Sequence, residues 1–292
     1  MRFNQIFRLS RPLQLLLAAL TYLVGASIPA YLGRQFNQTS FWLGLAAVLF
    51  AQLTMNLLAE AFRPHNEPLI EDETPKQKEA LRNNLLYVSY ASLAVSVAMI
   101  FMLFINDRLV TLSFFFLLLS LILVILYAVP PFRLLDHGFG ELALAANIAY
   151  VIPSIAFLLQ MNETHRLLVI ITVPLTSLAL VYFLILNFPS FSSDLKYQRA
   201  TLLRRLTWEV AVPLHHSLII FAYAFFAAAP LFGFSTSLTS RAFLTLPFAL
   251  FQIYQLTSIA RGNPPNWRML TFTAFSVFTL TVYFLTVTFW IE

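Results

Sequence analysis

The densest groups of ionisable side chains in this 292-residue chain lie in two polar segments, 63–83 and 188–207. The first interleaves the acids Glu67, Glu71, Asp72, Glu73 and Glu79 with Arg63, Lys76, Lys78 and Arg82. The second carries Asp194, Lys196 and Arg199, and basic side chains of this kind attract phosphate without help from a metal. Charges of both signs in the first segment read as a solvated cap in which acids and bases balance. The alternative is that one acid turns inward. A third group, His215 and His216, lies in an apolar run beside Pro213. The pair lacks the i, i+4 spacing of two ligands on one helical face and has no carboxylate nearby in sequence, so it reads poorly as a metal or haem site. The chain has no cysteine, which excludes disulfides, thiolate chemistry and Cys-ligated metal.

Nine apolar runs must position these groups: 12–32, 41–62, 84–105, 109–129, 139–160, 167–187, 208–232, 242–259 and 269–290. Each is long enough to cross about 30 Å of hydrocarbon as a helix. A chain that is 59% hydrophobic and 11% charged, with a mean hydropathy of +0.77, is outside the range of soluble domains and reads as an integral, multi-pass membrane protein. Nine spans place the termini on opposite sides. Fourteen of the 18 Lys and Arg residues fall on the amino-terminal side; only Arg34, Arg108, Arg166 and Arg241 fall on the other. Because cytoplasmic loops retain basic residues, the predicted topology has the N-terminus in the cytoplasm and the C-terminus outside. The net charge of +5 is then a topology signal and not a nucleic-acid footprint. The amphipathic start Arg2, Phe3, Ile6, Phe7, Arg8 runs into the first span without a small-residue cleavage site, and predicts an interfacial helix. Trp42, Trp208, Trp267 and Trp290 near span ends suit the headgroup level.

Four landmarks sit at the ends of these spans. Arg11-Pro12 precedes the first, which contains Gly25. Asn56-Leu57-Leu58-Ala59-Glu60 closes the second. Tyr127-Ala128-Val129-Pro130-Pro131-Phe132-Arg133-Leu134 follows the fourth and leads to Gly138-Phe139-Gly140-Glu141. The sixth ends in Asn187-Phe188-Pro189-Ser190-Phe191-Ser192-Ser193-Asp194, continuing to Arg199, Thr201, Leu202, Arg205 and Leu206. The set resembles the UbiA superfamily of intramembrane aromatic prenyltransferases. Those proteins carry N-D-x-x-D-x-x-x-D at the second helix, a Y-S-x-P-P-x-R segment after the fourth, and N-x-x-D-x-x-x-D followed by a K/R-R-T-L-x-x-R-L stretch at the sixth.

The resemblance implies an all-α polytopic membrane protein, a single domain over 1–292, with nine transmembrane helices around a central cavity and cytoplasmic cap loops. In the family, two acidic motifs hold magnesium against the diphosphate of a prenyl donor, since hard oxygen ligands suit this cation and carboxylates otherwise repel a diphosphate. Carried over to matching positions, it implies Asn56, Arg63, Tyr127, Arg133, Asn187, Ser190, Lys196 and Arg199 around the diphosphate. Glu60 and Asp194 would ligate magnesium, with Asp72 from the cap as a further ligand. The departures from the pattern are Leu57, Glu60 and Pro64 in the first motif and Ser190 in the second. Of five expected aspartates only Asp194 remains, with Glu60 as a longer substitute, which predicts an impaired metal site.

Two functions follow. One is transfer of an isoprenyl group from a prenyl diphosphate to an aromatic or quinone-type acceptor. The other is a non-catalytic protein that binds an isoprenoid, quinone or pigment, or serves as a structural subunit of a larger membrane complex. Either ligand is lipid-soluble, so a cavity that opens sideways to lipid is expected, in a bacterial-type inner membrane. Tyr150, Phe157, Tyr182, Phe183, Tyr223 and Tyr254 are candidates for an isoprenoid-lining wall. Asn147, Gln252 and Gln255 are expected to form hydrogen bonds between helices.

Overall fold

A computed structural model describes residues 3–64, 66–70 and 73–291. Among these, nine helices are long and apolar enough to cross a membrane: α1 Pro12–Tyr31, α2 Gln38–Ala61, α3 Pro75–Ile105, α4 Thr111–Ala128, α5 Gly140–Met161, α6 Arg166–Lys196, α7 Leu202–Ala227, α8 Ser237–Ala260 and α9 Trp267–Ile291. A short amphipathic helix, Phe3–Leu9, precedes α1. Asp72 and Glu71 lie outside the described residues.

Two of these helices run beyond their apolar stretches, and both extensions shorten the charged loops. Pro75 sits at the first position of α3, and Thr74 accepts from the Gln77 amide while the Gln77 side chain accepts from the Thr74 amide. This reciprocal cap starts the helix well before the apolar run at 84. At the other loop, α6 continues through Pro189 to Lys196. Proline inside a membrane helix is tolerated where neighbouring groups satisfy the freed backbone. Within α7, Thr207 has φ 64 and ψ 166, so the helical turn at 202–206 is set off from the membrane-spanning part that starts at Trp208. A β-branched residue with positive φ is strained.

Burial divides the bundle into centre and periphery. Over their most apolar windows α5 is 83% and α6 72% buried, whereas α3 is 22% and α8 28%. Helices α5 and α6 thus form the centre of the bundle, and α3 and α8 lie at its periphery. Helix α9 packs on α1, α6 and α8 and closes the ring. Helices α1 and α5 approach closely: a Cβ at Gly25 would stand 2.1 Å from the Pro153 carbonyl oxygen. Small side chains bring α2 and α3 together, with the Ser92 and Ser96 hydroxyls donating to the carbonyls of Phe50 and Ala47, each at 2.8 Å. A buried polar chain ties α4 and α5 to α2. Ser120 donates to Asn147, Asn147 to Gln52, and Gln52 to Asn56. Gln252 meets His215 at 2.8 Å and Thr273 donates to Gln255, so the expected interhelical role of these amides is borne out.

Candidate functional site

The charged ends of α1, α2, α4 and α6 converge on one cavity of about 210 Å³. Arg11 just before α1 and Gln14 in its first turn contribute, and the segment after α2 supplies Arg63 and Glu67. The end of α4 gives Tyr127 and the turn after it Arg133 and Asp136, the start of α5 gives Glu141, the end of α6 gives Asn187, Ser190 and Asp194, and the residues after α6 give Arg199. Leu144, Phe183 and Leu186 form its apolar wall. Leu186 also belongs to a second, larger groove of about 710 Å³, which lies between α1, α6 and α9 and includes Leu13, Tyr182, Met269, Phe272 and Phe275.

At the cavity mouth the charges alternate along one continuous chain. Arg11 donates to Glu60 Oε1 from Nη2 at 2.7 Å and from Nε at 3.1 Å, and to the Tyr127 hydroxyl from Nη1 at 3.2 Å. Arg63 pairs with the other oxygen of Glu60 and, at 3.0 Å, with Glu67. Glu67 then receives both arms of the Arg199 guanidinium, one at 2.8 Å, and Arg199 Nη1 lies 3.0 Å from Asp194 Oδ1. The Ser190 hydroxyl donates to the remaining Asp194 oxygen at 2.8 Å. Bidentate guanidinium–carboxylate pairs are charge-assisted and geometrically specific. Burial works against the charge on Arg11 and on Arg199, yet their carboxylate partners outweigh it and hold both above the ordinary arginine range. Both are cations at any pH the protein meets.

The inward-turning loop acid is Glu67, 2% exposed, which sequence reading left as one of several cap acids. Its backbone carbonyl accepts from Lys78 Nζ at 2.6 Å, while Glu73 caps the amides of Leu69 and Ile70. Arg133 is held by Asp136 and by the Ala59 carbonyl, and its Nε has no partner among the described residues. Asn187 donates to Glu141, whose second oxygen accepts from the Leu202 amide. Of the residues inferred from the resemblance, Arg63, Tyr127, Arg133, Asn187, Ser190, Asp194 and Arg199 line the cavity. Glu60 is not part of that lining but stands behind it, between Arg11 and Arg63; nor is Asn56, which one turn deeper donates to the Ser10 carbonyl at 2.9 Å and anchors the short amino-terminal helix. Lys196 also stands outside, exposed at the end of α6 with its ammonium over Tyr197. Arg11, Gln14 and Glu141 carry the site without having been singled out for it. Arg11 and Glu141 flank recognisable landmarks, but Gln14 is hidden inside an apolar run.

These donors do not fit a magnesium site. Both oxygens of Glu60 and both of Asp194 are taken by guanidinium or hydroxyl groups, and no three His, Asp or Glu side chains among the described residues are grouped to hold a metal. A dication would have to displace arginines and then share a small volume with them. His215 and His216 pair with Gln252 and Thr257 instead.

Nine apolar helices among the described residues, with an ionic cavity at one end of the bundle, define a polytopic membrane protein, and its fold is that of UbiA homologues. The structure is similar to that of a UbiA homologue from Archaeoglobus fulgidus bound to GPP and Mg²⁺, with a TM-score of 0.68 and 16% identity over 98% of this chain and 99% of that one. It is also similar to a digeranylgeranylglyceryl phosphate synthase, with a TM-score of 0.59 and 13% identity over 99% and 97% of the two chains. A UbiA homologue from Aeropyrum pernix K1 gives a TM-score of 0.51 and 12% identity over 94% and 96%. No protein-family model and no curated protein matches the chain.

Proposed function

We propose that this chain is a prenyltransferase-like membrane protein that takes an isoprenyl diphosphate, its head among Arg11, Arg63, Arg133 and Arg199 and its hydrocarbon along the groove of α1, α6 and α9. The observation that carries this reading is Leu186, one residue forming the wall of both an arginine-lined cavity and an apolar groove. Such a junction suits an amphiphile with an anionic head and a hydrocarbon tail. The A. fulgidus homologue bound to GPP adds support through its shared fold.

In the transfer reaction the C–O bond of the allylic diphosphate breaks and the diphosphate leaves with the electron pair. The allylic carbon bonds to an aromatic or quinone-type acceptor, which loses a proton. Guanidinium groups at the mouth offset the charge that builds on the leaving group, as electrostatic preorganisation requires. The closure of Glu60, Glu67 and Asp194 on internal arginines favours a second reading, in which the protein binds the isoprenoid without turnover. The charge distribution supports a basic end that faces the cytoplasm.

Purified protein incubated with geranyl diphosphate and a panel of phenolic and quinol acceptors tests both. A prenylated product lost in Arg133→Ala supports the enzyme, saturable binding without product supports the binding protein, and absence of binding rejects both.

A further inference from the structure

Glu67 is a buried anion paired with two arginines at the cavity mouth. Its carboxylate lies between Arg63, just past the end of α2, and Arg199, beyond the end of α6, and is almost fully buried. A two-point guanidinium fork from Arg199 and a single Nη1 contact from Arg63 meet on this one anion, an arrangement that suits phosphate recognition. Arg133 lines the same cavity, and its buried Nε–H is without a partner among the described residues. Unsatisfied buried donors are costly and indicate a missing acceptor.

Charge decides between a phosphate and a metal. A divalent cation at Glu60 and Asp194 would have to evict Arg11, Arg63 and Arg199 from their carboxylates, leaving three cations beside a dication. An incoming phosphate needs only to replace Glu67. The Glu67 side chain then turns to water at the mouth, while Glu60 keeps neutralising Arg11. The arginines remain paired with an anion throughout the exchange.

We infer that Glu67 is a resident counter-anion standing in for a ligand phosphate, and that the site binds an isoprenyl diphosphate without a divalent cation by exchanging this carboxylate for phosphate oxygens. The inference rests on the reading that the cavity takes an isoprenyl diphosphate, and goes beyond it in naming the charge carriers and the group displaced.

The test uses the full chain in nanodiscs, with geranyl diphosphate titrated calorimetrically in EDTA and again in magnesium. Wild-type protein is compared with Glu67→Gln and with the remote control Glu163→Gln, and thermal unfolding reports that each variant is folded. Binding in EDTA within about threefold of that in magnesium, tightened about tenfold by Glu67→Gln and unchanged by Glu163→Gln, is expected. Binding seen in Glu67→Gln in EDTA, with wild type too weak to detect in EDTA and in magnesium alike, also supports the exchange. Wild-type binding that needs magnesium overturns the inference while leaving the ligand class intact, and this arm does not depend on the variant folding. Tightening absent in a folded Glu67→Gln overturns it as well. No binding by any form in either condition removes the ligand class and the inference together.

Discussion

Glu67 and Arg199 are 132 residues apart in sequence and meet in a two-point ion pair across the cavity mouth. The pair links the segment after α2 to the end of α6, two helices that otherwise present their charged ends from opposite walls. Breaking it from either side leaves a carboxylate or guanidinium among other charges, whereas removing both leaves a smaller, neutral change. A double-mutant cycle of Glu67→Ala and Arg199→Ala, read by unfolding in detergent, should give a coupling energy of about 1–3 kcal/mol. The lower part of that range is set by Arg199, whose side chain is 33% exposed and partly screened by water. Strictly additive singles would show that the pair does not hold the two walls together.

The α1–α5 contact depends on the missing side chain of Gly25. A methyl there would lie 2.6 Å from the Pro153 Cα and closer still to its carbonyl oxygen, both parts of a rigid backbone. Gly25→Ala should separate the helices and destabilise the bundle by roughly 1–3 kcal/mol, the usual range for overpacking a dense interior. An unchanged unfolding midpoint would mean that α1 slides along α5 at little cost.

How far these relationships were legible in sequence depends on the kind of signal. The nine spans follow from apolar length alone, and Arg11, Arg133, Glu141, Asn187 and Asp194 lie at span ends where they form or flank recognisable landmarks. Glu67 was not separable from Glu73 and Glu79, because alternation of charge in a cap reveals balance but not direction. It takes the packing of α3, with Lys78 holding the Glu67 carbonyl, to turn it inward. Asn56 misleads for the opposite reason. It shares a helical face with Glu60, yet one turn of depth carries it from the cavity to the Ser10 carbonyl. Lys196 and Arg199 look alike in sequence, but the end of α6 at Lys196 lets the chain fold Arg199 back onto Asp194.

The direction of insertion is open to a clean measurement because the chain has no cysteine of its own. Lys76 lies in the exposed start of α3, on the end of the bundle that carries the ionic cavity. Arg34 pairs with Glu163 at the opposite end. Single substitutions Lys76→Cys and Arg34→Cys can be labelled with a membrane-impermeant maleimide in intact cells and in inverted vesicles. The basic bias predicts that Lys76→Cys reacts only in inverted vesicles and Arg34→Cys only in intact cells. The reverse pattern would place the cavity mouth outside.

Leu186 offers a way to separate recognition of the head from recognition of the tail. It lines both the ionic cavity and the groove between α1, α6 and α9, so enlarging it to Trp narrows the passage from one to the other without altering a charged residue. An inorganic pyrophosphate ion has no hydrocarbon to pass through that junction, whereas geranyl diphosphate must lay its chain along it. Tail burial contributes about 25 cal/mol per Å² of apolar surface, and losing some 60 Å² of it weakens binding roughly tenfold. Leu186→Trp should therefore lower the affinity for geranyl diphosphate by about that factor or more, and by much less for pyrophosphate, in paired titrations. Equal losses for the two ligands would mean that the bulky side chain distorts the mouth itself. No loss for geranyl diphosphate would mean that the hydrocarbon leaves the cavity by another route.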